Sequence, residues 1–163
     1  LEYVSVENAD IEMGSYSFIG CTKGIELHFG KNVNKINWTL VTALETVKKI
    51  SVDQNNKTYC AVDGVLYSKD KKTLHYYPKM KTNTSFVVPD GVETIAFEAF
   101  CSDKLTKVTI PTSVKTIDKD AFYFAKSLKT IAYKGSACNW KKVEISERLK
   151  ESYEIIKEYW GGY

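Results

Sequence analysis

The residues of this chain best suited to nucleophilic, acid–base or metal chemistry are two histidines, His28 and His75, and four cysteines, Cys21, Cys60, Cys101 and Cys138. Their spacing argues against such chemistry. There is no Cys-x-x-Cys pair and the cysteines and histidines do not cluster, so neither a metal nor a cofactor is expected. The cysteines read as free thiols, used as small buried apolar groups. Neither histidine adjoins Ser or Cys in a nucleophile motif of the Gly-x-Ser-x-Gly kind. Gly161-Gly162 lacks the strand and helix that a phosphate loop requires. Carboxylates are many but follow no pattern. No catalytic residue is assigned, and the chain is not expected to be an enzyme. His28 alternates with Leu27 and Phe29, which aims it out of the polar face of a strand, and His75 lies between Leu74 and Tyr76.

The elements that position these side chains come from a repeat. Phe86-Val-Val-Pro-Asp-Gly-Val-Glu-Thr-Ile-Ala-Phe-Glu-Ala-Phe100 lies over Val108-Thr-Ile-Pro-Thr-Ser-Val-Lys-Thr-Ile-Asp-Lys-Asp-Ala-Phe122. Paired apolar positions recur at Val4/Val6, Leu27/Phe29, Ile50/Val52, Phe86/Val88, Val108/Ile110 and Ile131/Tyr133, at spacings of 23, 23, 36, 22 and 23. A period of this size marks a solenoid of stacked coils. Two apolar residues at i and i+2 put both side chains on one face of a short strand, and strands one coil apart pair in parallel. Gly30, Pro89 and Pro111 end three of these strands. The Val-x-x-Ile that follows supplies a second wall, and Ala-Phe opens a turn or short helix that Asp118 or Asp120 would cap.

The residues between the buried pairs form two ladders on the polar, concave face of the sheet. One is Tyr3, Glu26, Lys49, Ser85, Lys107 and Thr130; the other is Ser5, His28, Ser51, Val87, Thr109 and Ala132. Concave faces are the usual binding surface of solenoids, so Tyr3, Glu26, His28, Lys49, Lys107, Thr109 and Thr130 are the candidate ligand-binding residues. The opposing reading is a solvated sheet with no site of its own.

Two segments break the period. From Tyr59 to Tyr77, β-rich runs are joined by Asp63-Gly64 and by Lys69-Asp-Lys-Lys72, which predicts a three-stranded antiparallel meander inserted at the edge of one coil. Its Tyr67, His75, Tyr76 and Tyr77 form a second candidate site, an exposed aromatic surface; the competing expectation packs these rings across the strands. Near the C-terminus, Trp140 to Ile145 reads as a last strand, and Leu149, Tyr153, Ile156 and Trp160 as one face of a capping helix. The expected organisation is a single domain over 1–163: N-terminal repeats 1–53, meander 54–85, C-terminal repeats 86–145 and capping helix 146–163.

The 23 basic and 20 acidic residues are interleaved, for a net charge of +3, with no basic stripe, so nucleic acid is not an expected partner. No apolar run approaches the ~20 residues needed to cross a bilayer. The opening Leu1-Glu-Tyr-Val-Ser-Val6 falls inside a repeat and reads as a mature or trimmed piece. Asn37-Trp-Thr39, Asn56-Lys-Thr58 and Asn83-Thr-Ser85 match the glycosylation sequon, relevant only in a eukaryotic secretory setting.

Ile110-Pro-Thr-Ser-Val-Lys-Thr-Ile-Asp-Lys-Asp-Ala-Phe122 with Leu128-Lys-Thr-Ile131, and its copy at Val88 to Val108, resembles the BspA-like (Treponema pallidum-type) class of leucine-rich repeats. So do Asn56 to Pro78 and the ending Tyr133-Lys-Gly-Ser-Ala-Cys-Asn-Trp-Lys-Lys-Val-Glu-Ile145. Gly24 replaces an expected Leu, and Trp38-Thr-Leu-Val41 lacks Ala-Phe. The resemblance implies an α/β leucine-rich-repeat solenoid: a curved parallel sheet of about six short strands, the inserted meander and the C-terminal capping helix. It further implies a bacterial surface or secreted protein, monomeric, non-enzymatic and binding protein or glycan, in adhesion to host or other cells. The alternative is a structural spacer of a larger surface protein with no ligand of its own.

Overall fold

The paired apolar residues form strands that stack in parallel. In the computed structural model, which describes residues 1–7, 10–11, 23–36 and 46–145, β1 (Tyr3–Val6), β3 (Ile25–Phe29) and β5 (Val47–Val52) form one three-stranded sheet. Between them lie β2 (Asp10–Ile11) and β4 (Lys35–Ile36), which pair with each other. The registers are those of the repeat: Val4 opposite Leu27, Leu27 opposite Ile50, Phe29 opposite Val52. A second three-stranded sheet holds β9 (Ser85–Val87), β11 (Lys107–Ile110) and β13 (Thr130–Tyr133), with Phe86 opposite Val108 and Val108 opposite Ile131. The expected six strands therefore exist, but as two sheets of three rather than one continuous sheet.

The interruption is the segment from Tyr59 to Tyr76. Here β6 (Tyr59–Val62), β7 (Val65–Ser68) and β8 (Thr73–Tyr76) are antiparallel neighbours. They are not an appendage at a coil's edge. The third strand, β8, also pairs in parallel with β10 (Thr94–Ile95), which continues through β12 (Thr116–Ile117) to β14 (Glu144–Ile145). Leu74, Ile95, Ile117 and Ile145 thus share one row of the second wall. The chain has inserted the β6–β7 hairpin between the two walls of a coil and then resumed that coil.

This hairpin separates two cores. Tyr59 and Leu66, with Tyr76 of β8, pack with Val6, Leu27, Phe29 and Ile50, whereas Val65 and Tyr67, with Leu74, pack with Val88, Ile95, Val108 and Ile110. Alternation along β6 and β7 sends neighbours to opposite sides. In β8 the same outcome needs a bulge: Leu66 opposes Tyr76 and Tyr67 opposes Leu74, which leaves His75 as the extra residue. Both faces of β7 are therefore covered, and Val65, Leu66 and Tyr67 are consecutive buried residues.

On the outer side of each coil, Ala-Phe forms turns rather than helices. Ala99, Phe100, Ala121 and Phe122 are fully buried. The Asp118 carboxylate accepts from the next amide, Lys119 N, and caps no helix. Phe100 and Phe122 stack at 4.9 Å with their planes 9° apart, and Tyr77 extends the stack at 5.7 Å from Phe100. Tyr77 N donates to Ala99 O as Phe100 N donates to Ala121 O, so Tyr77 stands in for the phenylalanine of the resumed coil. Burial of each ring contributes about 2–3 kcal/mol.

Asn56 lies in a turn that reads as an ordinary loop, yet it is wholly buried. Its Nδ2 donates to Gly30 O and Val33 O, both at 2.8 Å, and its Oδ1 accepts from Thr58 N at 2.9 Å and Tyr59 N at 2.8 Å. All four hydrogen-bonding positions of the amide are used, and they join the turn after β3 to the start of the hairpin.

The end of the described chain differs from a strand over Trp140 to Ile145. Ser136 caps a four-residue helix, α1 (Ala137–Trp140), whose Trp140 is buried against the Tyr133 ring at 5.0 Å; only Glu144–Ile145 is strand. Among the described residues α1 is the sole α-helix, so this part of the chain is a solenoid of stacked parallel β-coils, mostly strand, where an α/β solenoid is expected. The expected capping helix over 146–163, Cys21, the Asn37 sequon and the unit at Trp38–Val41 lie outside the described residues.

Candidate functional site

Three of the candidate ladder residues come together on the first sheet because its registers place them in one row: Tyr3 opposite Glu26, and Glu26 opposite Lys49. The adjacent row is Ser5, His28 and Ser51. Tyr3 is 55% exposed, and its ring lies 6.5 Å from that of His28 with the planes 22° apart. His28 Nδ1 lies 2.9 Å from Ser51 Oγ, which fixes the imidazole from the next coil. Ser5 donates to the Glu7 carboxylate.

One member of this group was not apparent from alternation. Between Ile25 and Glu26 the register shifts: Ile25 opposes Val47, whereas Glu26 opposes Lys49. Lys48 is thus the extra residue of a bulge, and its Nζ stands 3.9 Å from one Glu26 oxygen while Lys49 Nζ stands 3.9 Å from the other. The signal was present in the spacing: two residues separate Val47 from Ile50, where one separates Ile25 from Leu27. These pairs are solvent-exposed, so they orient side chains more than they stabilise the fold.

The second sheet carries the other ladder residues. Ser85, Lys107 and Thr130 form one row, and Val87, Thr109 and Ala132 the other. Lys107, Thr109 and Thr130 are half-buried. Val87 is exposed, but Ala132, which stays in register beside Thr109, is buried and offers nothing to a ligand. The hairpin divides these rows from those of the first sheet, so Lys107, Thr109 and Thr130 do not meet Tyr3, Glu26, His28 and Lys49 in one continuous ladder.

The meander does not present an aromatic surface. Tyr67, Tyr76 and Tyr77 are all interior, with exposures of 2%, 0% and 0%. The physical reason is the separation of two cores described above: each ring fills one side of the hairpin. Burial pushes the Tyr77 phenol up to about 12 and the Tyr67 phenol up as well. His75 stands edge-on to Tyr59 at 5.4 Å, and burial lowers its pKa to about 4, partly opposed by Asp70. It is neutral at physiological pH. Cys60 is half-buried, Cys101 buried and Cys138 exposed, all as free thiols. Among the described residues no group of three His, Cys, Asp or Glu is placed to hold a metal ion, and no helix is long and apolar enough to cross a membrane.

The chain was compared with known proteins. A family described as BspA type leucine rich repeat region matches in six copies, over residues 1–61 and 75–142. The gap between the two ranges falls on the hairpin. No curated protein matches. Among solved structures, a leucine-rich repeat protein from Eubacterium ventriosum is similar at 27% identity and a TM-score of 0.50, over 67% of this chain and 36% of that one. The pneumococcal vaccine antigen PcpA is similar at 25% identity and a TM-score of 0.51, over 81% of this chain and 29% of that one. A leucine rich cell surface protein from Faecalibacterium prausnitzii shares the fold at 19% identity and a TM-score of 0.53, over 88% of this chain and 62% of that one. The chain spans between about a third and three fifths of the length of these proteins.

Proposed function

The chain belongs to the BspA-type leucine-rich repeat family, and from that premise we propose that it is a non-enzymatic, surface or secreted module that binds a protein or glycan, in adhesion to host or other cells. The observation that carries this reading is the group on the first sheet: an exposed Tyr3, an oriented His28–Ser51 pair and the Glu26 carboxylate between Lys48 and Lys49. Exposed, ordered aromatic and charged side chains on a rigid sheet are suited to recognition. A cell-surface relative and a vaccine antigen among the similar structures support an extracellular location. A monomer accords with this reading, since the face would then be open to a ligand.

Immobilised host matrix proteins and a glycan array, probed with the purified domain, test the proposal. Lys49→Glu is expected to weaken binding at least tenfold and Lys107→Glu to leave it within threefold, because the hairpin separates the two sheets. Absence of binding to both panels overturns the proposal. A spacer role is then favoured by the second sheet, whose rows hold one charged residue, Lys107, among Ser85, Val87, Thr109, Thr130 and the buried Ala132.

A further inference from the structure

We propose that the first sheet is a saccharide platform: a neutral pyranoside stacks on the exposed Tyr3 ring and exchanges hydrogen bonds with the His28, Ser51, Glu26 and Lys49 side chains, Lys49 donating and the Glu26 carboxylate accepting. This rests on the binding reading above and specifies its ligand. Three observations support it.

The first is the aromatic ring. A tyrosine ring that is 55% exposed stands 6.5 Å from a histidine that is itself tied to Ser51, so the two rings together offer an aromatic surface beside oriented polar groups. The negative face of such a ring attracts the polarised C–H groups of a sugar.

The second is size. The two rows of three residues cover about two strand spacings by two residue steps, roughly 10 by 7 Å. That fits one or two sugar rings. It is an order of magnitude smaller than the ~800 Å² per partner of a stable protein interface.

The third is charge. Lys48 and Lys49 share the Glu26 carboxylate, and Glu7 accepts from Ser5 at the edge of the same group. Two cations and two anions thus lie in or beside the patch, which offers donors and acceptors without a net charge. This favours a hydroxyl-rich neutral ligand over an acidic one.

Isotope-labelled protein titrated with methyl glucoside, galactoside and mannoside, their disaccharides and methyl glucuronide tests the proposal by NMR. At least one neutral glycoside is expected to shift the Tyr3, Glu26, His28 and Ser51 signals saturably. Tyr3→Ala is expected to weaken that binding at least tenfold and Tyr3→Trp to keep it within threefold. Because Tyr3 is exposed, an unchanged spectrum elsewhere shows that the variants fold. Silence toward every neutral glycoside, response to the glucuronide alone, or binding that survives Tyr3→Ala overturns the platform. If a matrix protein still binds in any of these cases, only the platform fails and the broader binding reading stands.

Discussion

The amide of Ile50 donates to the carbonyl of Gly64 at 3.0 Å, so the tip of a hairpin occupies the edge of β5 where the next parallel strand would pair. Lys81 Nζ fixes the same tip through Asp63 O at 2.6 Å. Asp63 and Gly64 both have positive φ, at 50° and 78°, the conformation of a tight hairpin turn with φ > 0 at both central residues. A β-carbon on Gly64 would lie 3.0 Å from Lys49 Cγ. Gly64→Ala is therefore expected to cost about 1–2 kcal/mol, from the left-handed backbone and the contact together. Urea denaturation measures it, and a loss under 0.5 kcal/mol would contradict the close approach of the turn to β5.

Asn56 gives a larger expected effect. Asn56→Ala leaves the Gly30 and Val33 carbonyls and the Thr58 and Tyr59 amides without their partner, at an expected cost of roughly 3 kcal/mol. The same burial protects the residue from modification. Expressed through a eukaryotic secretory pathway, the folded domain should carry glycan at the exposed Asn83 in preference to Asn56, which mass spectrometry of the glycopeptides reads directly.

The stacked rings separate shape from polarity. Phe100→Ala removes the middle of the Tyr77–Phe100–Phe122 stack and should cost about 3–5 kcal/mol. Tyr77→Phe keeps the ring and deletes a buried hydroxyl that has no hydrogen-bond partner. It should be neutral or stabilising by up to about 1 kcal/mol. A thermal melt that falls for Tyr77→Phe would show that the hydroxyl is satisfied after all.

His75 links stability to pH. Folded, it takes a proton only near pH 4; in the unfolded chain it does so near 6.5. Between these values the unfolded state holds more protons, so stability rises with pH. The contribution is complete above about pH 6.5 and is lost as pH falls toward 4, approaching roughly 3 kcal/mol. Denaturation midpoints across that range should show the slope, and His75→Gln should flatten it.

The repeat from Phe86 to Tyr133 was legible because its apolar pairs recur in register, and the structure pairs Ser85, Lys107 and Thr130 in the row that spacing alone assigned. The division of the sheet was not legible. Leu74 reaches its ring residue, Tyr77, in three steps, where Ile95 reaches Phe100 in five, so the sequence pattern of β8 does not match that of the wall strands with which it pairs in register. Its bulge at His75 also reverses the faces that alternation predicts, which is why Tyr76 is core. Of the site, the rows of the first sheet followed from register. Lys48 did not, because a bulge shifts register by one residue where alternation assumes none.

The hairpin has a mechanical consequence. Within each three-stranded sheet, a pull along the solenoid axis meets rows of parallel backbone hydrogen bonds. At the hairpin it meets side-chain packing and isolated bonds such as Ile50 to Gly64 and Met80 to Val47. Force passes through these segments in series, so the weakest sets the limit. Single-molecule stretching should find the first rupture at this joint, parting the first sheet from the hairpin, which stays bonded through β8 to the second block. Under load the domain would then yield at a defined point, and one uniform rupture of the whole stack would refute the weak joint.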